Sequence, residues 1–101
     1  MILLIIEYNG GKLNDDTLLY FYASWASKCN IHLDALKRIN NEVGNLLITK
    51  INVTKYQMLK QKYLVKKIPT FIILKNDEIV ARLDGYKDQY SLLKWINNYR
   101  S

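Results

Sequence analysis

The sequence predicts an α/β fold: a central mixed β-sheet of four or five strands with helices on both faces. Three observations predict it. Residues 18–23, Leu-Leu-Tyr-Phe-Tyr-Ala, form a continuous apolar and aromatic run that suits a strand buried on both faces. An apolar stripe at three- and four-residue spacing (Cys29, Leu33, Leu36, Ile39, Val43) follows and marks an amphipathic helix. Finally, residues 71–74 and 78–83 flank Asn76-Asp77 and read as an antiparallel hairpin.

The remaining elements are taken in chain order. Residues 2–6 read as a buried or half-buried strand. Between residues 8 and 16 the turn-like triplets Asn9-Gly10-Gly11 and Asn14-Asp15-Asp16 leave little room for a helix. A parallel crossover takes about a dozen residues, so a short helix or a bare loop is expected here, with a hairpin as the competing reading. The helix over residues 27–43 stops at Gly44-Asn45. Residues 46–53 are apolar and β-branched, a strand pattern. Thr54 then reads as the N-cap of a short helix to about residue 64 that buries Tyr56, Leu59 and Tyr63. Gly85 breaks the chain after the hairpin. Asp88 caps a last helix to about residue 99, with Leu92, Leu93 and Ile96 toward the sheet. No repeat, linker or low-complexity segment interrupts this order, so residues 1–101 are expected to form one domain.

Composition narrows the function classes. At 101 residues, half of them apolar, the chain can build a core and is not of disordered type. No apolar run reaches the roughly eighteen residues a bilayer span needs, and no membrane partner is expected. The apolar start is broken by Glu7 and lacks a basic leader, unlike a signal peptide. One cysteine excludes an internal disulfide and fits a reducing, cytoplasmic setting. The net charge of +6 is spread along the chain, and its densest cluster (Lys60, Lys62, Lys66, Lys67) falls on a solvated helix end, so nucleic acid is not an expected partner. The single histidine, His32, has only Cys29 near it in sequence, too few ligands for a metal. No phosphate loop, zinc spacing or hydrolase triad occurs, and no cofactor is expected.

The segment Phe21-Tyr22-Ala23-Ser24-Trp25-Ala26-Ser27-Lys28-Cys29 resembles the active-site segment of the thioredoxin family, Phe-Trp/Tyr-Ala-x-Trp-Cys-x-x-Cys. Phe21, Tyr22, Ala23, Trp25 and Cys29 match; Ala26 stands where the family has its nucleophilic cysteine. Ile68-Pro69-Thr70 resembles the family's cis-proline segment, and Gly85 its glycine before the last helix. The element order agrees over essentially the whole length, with the first helix shortened or absent. Asp34 replaces a proline that often kinks the long helix, which implies a straighter helix. The resemblance implies a thiol-disulfide oxidoreductase scaffold, monomeric, in which Cys29 holds the resolving position. It implies a substrate face of Trp25, Ile68, Pro69 and Gly85 for a disulfide-containing or extended polypeptide, with the backbone of Ile68 pairing to it. The implied reductant is of thioredoxin-reductase type.

Chemistry allows two readings of Cys29. A helix N-terminus and Lys28 both favour a thiolate. A lone cysteine on an apolar stripe is otherwise a small buried hydrophobe, and the shielded resolving position agrees with that inert reading. Ala26 decides more. Disulfide exchange needs one thiolate to form a mixed disulfide and a second to resolve it, and a methyl group cannot attack sulfur. Two origins fit: natural loss of redox work with the scaffold kept for binding, or a Cys→Ala exchange made in a redox-active parent. Tyr20 stands where the family commonly has a buried acid. A tyrosine, which ordinarily ionises only near about pH 10, is a poor general base at neutral pH. Lys50, which matches the lysine that pairs with that acid, is then expected to snorkel to solvent or to bond Tyr20. Two function classes therefore stay open: an oxidoreductase scaffold lacking its nucleophile, and a redox-inert module that binds extended polypeptide.

Overall fold

The computed structural model of the protein describes residues 3–24, 46–85 and 88–100. Within them lie five strands, β1 (Leu3–Glu7), β2 (Thr17–Tyr22), β3 (Leu46–Asn52), β4 (Thr70–Lys75) and β5 (Glu78–Asp84). Two helices are described, α1 (Gln57–Lys62) and α2 (Gln89–Arg100). The strands form one sheet in the order β1-β3-β2-β4-β5. β1, β3 and β2 run parallel; β4 is antiparallel to β2, and β5 to β4. The helix expected over residues 27–43 lies outside the described residues.

β2 is the middle strand, and its side chains alternate between two cores. Leu18 and Tyr20 join Ile48, Phe71 and Ile73 on one face, where Leu92 and Ile96 of α2 cover them and Leu93 packs at the margin. Leu19 and Phe21 join Ile51, Ile72 and Leu74 on the other, covered by Tyr63 and Val65, with Leu59 of α1 beside them. The register explains the sorting: Leu18 pairs with Ile48 and Ile73, and Phe21 with Ile51. Tyr20 stacks on Phe71 with centroids 5.3 Å apart and on Tyr22 at 5.7 Å. Burial pushes the Tyr63 hydroxyl above its ordinary pKa, and Asp77 and Tyr8 add to the effect, so the ring stays neutral where it meets Phe21.

The stretch 8–16 is a bare loop. Because β3 lies between β1 and β2 and is parallel to both, a hairpin is excluded. These nine residues return from the end of β1 to the start of β2. Extended, they reach about 30 Å; coiled into a helix they would span about 14 Å, short of the roughly 20 Å length of a six-residue strand. The loop is held by its own contacts. Tyr8 packs edge-on against Tyr56 at 4.7 Å, its hydroxyl donates to the Gly11 carbonyl at 2.6 Å, and Asp16 accepts from the Asn76 N–H at 3.2 Å.

Thr54 is not the cap of α1. Oδ1 of Asn52 accepts from the backbone N–H groups of Thr54 (2.9 Å) and Lys55 (3.4 Å), folding the chain into an Asx turn. The Tyr56 N–H, which a capping hydroxyl at Thr54 could have accepted, instead donates to the Asn52 carbonyl at 2.9 Å. The helix therefore starts later, behind Tyr56, which makes no side-chain cap. The hairpin turn agrees with expectation: Asn76 and Asp77 both have positive φ (53° and 66°), as a type I′ turn requires. β5 carries a bulge opposite Ile73/Leu74.

Asp88 caps α2. Its Oδ1 accepts from the Ser91 N–H at 2.9 Å and its Oδ2 from the Ser91 hydroxyl at 3.1 Å. These bonds favour the charged form and hold the carboxyl below the ordinary aspartate range. A carboxyl with a lowered folded pKa contributes stability above its unfolded pKa and loses it as pH falls through the folded one. Asp88→Ala is expected to lower the melting temperature at neutral pH by a few degrees. The gap from the unaltered protein should close as pH falls through the carboxylate range, read by circular dichroism melts across a pH series.

Candidate functional site

The parallel strands β1, β3 and β2 end at one edge of the sheet, where β4 begins and β5 finishes. Loops at such an edge are where α/β sheets present binding groups. Ser24 follows β2 there and is the last described residue before the segment 25–45. Trp25, Ala26 and Cys29 lie in that segment, outside the described residues, as does His32. The described part of the edge contains no cysteine or histidine.

Ile68, Pro69 and Gly85 are brought together at this edge. The Ile68–Pro69 peptide bond is cis. Thr70 pairs with Phe21 on one side and with Asp84 on the other, so Pro69 lies one step beyond both pairs, between the end of β2 and the chain at Gly85. The Gly85 N–H donates to the Pro69 carbonyl at 2.8 Å. Pro69 is buried and Ile68 half-buried, its side chain against the Phe21 core. The backbone N–H and C=O of Ile68 pair with nothing among the described residues. Gly85 has φ +85°, a backbone conformation that penalises side chains, and among the described residues a Cβ there would meet Lys67 Cδ at 3.9 Å. The backbone angle calls for glycine.

One set of residues at this edge escapes sequence reasoning. The Thr70 hydroxyl donates to the Lys67 carbonyl at 2.6 Å and bonds Asp84 Oδ1 at 3.2 Å. Asp84 in turn receives Arg82 Nε at 3.0 and 3.3 Å. Arg82 extends its other nitrogens to the end of α1, donating Nη1 to the Tyr63 carbonyl and Nη2 to the Leu64 carbonyl at 2.6 Å. A guanidinium at a helix C-terminus satisfies carbonyls the helix leaves open and meets the negative end of its dipole. Leu64 there has φ +52°. Arg82 therefore ties β5 and α1 to the turn that carries Ile68 and Pro69. Period-two spacing would place Arg82 and Asp84 on one face of β5; nothing local signals their partners at residues 63, 64 and 70.

Lys50, expected to reach solvent or to bond Tyr20, is half-buried, with its ammonium beside Glu7 and the Tyr22 ring. Its ammonium lies 3.7 Å from Glu7 Oε1, directly across the β1–β3 pair, and 4.7 Å from the centre of the Tyr22 ring. The Tyr22 hydroxyl donates to Glu7 Oε2 at 2.7 Å. Tyr20 is fully buried within the aromatic stack. Among the described residues, no group of three or more His, Cys, Asp or Glu is placed to hold a metal.

Replacing Arg82 by methionine keeps much of the apolar stem and removes every charged bond it makes. Arg82→Met is expected to cost about 1–2 kcal/mol of stability, since charge-assisted bonds at a half-exposed site are worth more than neutral ones but are partly screened. Urea unfolding checks this, with the midpoint falling and the slope unchanged. Arg82→Lys should recover less than half of the loss, because an ammonium cannot fork between two carbonyls and a carboxylate.

Comparison with known proteins agrees with this geometry. The sequence profile of the Thioredoxin family matches residues 9–98. The chain is 34% identical over 82 residues to a thioredoxin of Chlamydia caviae, covering 81% of this chain and 80% of that one. It is likewise 34% identical over 80 residues to a thioredoxin of Bacillus subtilis, covering 78% and 77%. Among solved structures, a mutant thioredoxin from Halobacterium salinarum NRC-1 superposes with a TM-score of 0.85 at 25% identity, over 97% of this chain and 92% of that chain. No helix among the described residues is long and apolar enough to cross a membrane. The chain belongs to the thioredoxin family.

Proposed function

We propose that this protein is a protein-disulfide oxidoreductase scaffold that lacks its attacking thiol, and that with Ala26 it binds polypeptide without completing exchange. The Ile68 backbone, which pairs with nothing among the described residues, lies beside Pro69 and Gly85 and supports the binding half of the proposal, because it offers a donor and an acceptor to an extended chain. The redox half rests on family membership and on Cys29, retained at the resolving position of the motif.

In the full reaction, a thiolate at position 26 would attack one sulfur of a substrate disulfide, forming a mixed disulfide and releasing one substrate thiolate. Cys29 would then attack the enzyme-side sulfur and release the second. Two protein thiols are thereby oxidised to one disulfide, and the substrate disulfide is reduced to two thiols. With alanine at position 26 the first bond has no partner on this chain. The proposed substrate is a disulfide-containing or extended polypeptide, and the proposed electron donor to a restored form is a thioredoxin-reductase-type protein. We place the protein in the cytoplasm as a monomer.

Tyr20 favours a second reading, a redox-inert binding module. It is packed within an aromatic stack, a role unlike that of a proton acceptor. Disulfide-reductase turnover with dithiothreitol separates the two. Ala26→Cys is expected to reduce a protein disulfide in repeated cycles while the unaltered chain stays at the uncatalysed rate. An idle Ala26→Cys protein that is folded would leave the binding module as the function. Native-state labelling of Cys29 by a thiol reagent should be at least about tenfold slower than in denaturant, as expected of a shielded resolving cysteine.

A further inference from the structure

Beside Gly85 and Pro69 lies a hollow of about 350 Å³ lined by Leu64, Lys66, Lys67, Arg82 and Asp84. Its charges are unequal in their commitments. Arg82 is spent on Asp84 and on the Tyr63 and Leu64 carbonyls, and Asp84 is held by Arg82 and Thr70. Lys66 and Lys67 are exposed, and neither ammonium has a carboxylate within ion-pair distance among the described residues. The Lys67 stem lies beside Gly85, with Cδ 3.9 Å from where a Cβ would be, so the side chain borders the face between Pro69 and Gly85. Leu64 adds an exposed apolar lip.

We infer that this hollow selects acidic side chains in the polypeptide held at Ile68, with Lys66 and Lys67 as specificity-determining residues. The inference rests on the proposed polypeptide-binding face and adds the chemistry of its occupant. A chain bonded to the Ile68 backbone passes one and two positions from residues 67 and 66, which line the hollow, within reach of long side chains. A carboxylate there meets two cations that lack partners among the described residues. A basic side chain would be repelled by them, and the Asp84 carboxylate, already bonded, offers it little.

The test uses two fluorescent eight-residue peptides of alternating valine and threonine, identical except for two glutamates in one and two glutamines in the other. Binding to the unaltered chain is read by polarisation at low salt. The glutamate peptide should bind about three- to tenfold tighter, the range expected of two solvent-exposed ion pairs. The preference should shrink toward parity at about 0.5 M salt. It should also vanish in a Lys66→Gln/Lys67→Gln protein whose melting temperature is unchanged. Lys67→Glu supplies an independent variant, in which the order of the two peptides should invert or level. Equal binding of both peptides to the unaltered chain would overturn the inference and leave the polypeptide face standing. A glutamate preference that survives both variants would also overturn it. Binding of neither peptide would remove the face itself, and the inference with it.

Discussion

The structure depends on a strand that has no solvent face. Residues 18–21 of β2 are each no more than 1% exposed, and burying a large apolar side chain is worth about 1.5–3 kcal/mol. Such a strand folds only if both sides of the sheet are covered. α2 supplies Leu92 and Ile96 to one side; α1, Val65 and the loop at Leu13 supply the other. The strand order follows from the same requirement. β3 and β4 flank β2 and satisfy its backbone on both edges, which leaves β1 and β5 as the outer strands.

The same constraint fixes where a site can form. With both faces taken, the end of β2 is where its chain meets solvent, and the start of β4 is registered against that end through Thr70 and Phe21. The turn at Ile68 and Pro69 is then held from two directions, by the Gly85 N–H on the Pro69 carbonyl and by Thr70 through Asp84 and Arg82. For the proposed extended ligand, a turn held in this way and with the Ile68 backbone unbonded among the described residues would leave little conformational entropy to be lost on binding. Fold stability and the binding surface are thus linked through a few polar side chains on β5.

The parts of this architecture legible in the sequence are those set by local chemistry. The apolar run of β2, Asn76-Asp77 with both φ values positive, Asp88 at the head of α2 and Gly85 at its strained turn each announce themselves within a few residues. The parts not legible are set at a distance or by competition. Thr54 and Asn52 are both reasonable organisers of the same turn, and the amide prevails because it sits where β3 ends. Arg82 looks like one more strand charge until the turn after α1, with Leu64 and Tyr63 18 and 19 residues away in sequence, is folded against it. The nine-residue crossover is decided by reach, which matters only once β3 is known to intervene.

The function proposed above has the scaffold suited to dithiol chemistry and lacking one sulfur at position 26. Its most direct test is the redox equilibrium of the Ala26→Cys protein with glutathione, read by mass spectrometry and thiol quantification. The account predicts an intrachain disulfide to Cys29, with a reduction potential near the roughly −270 mV of thioredoxins. Accumulation of glutathione mixed disulfides without an intrachain bridge would contradict it, because the two positions would then not be held for exchange with one another.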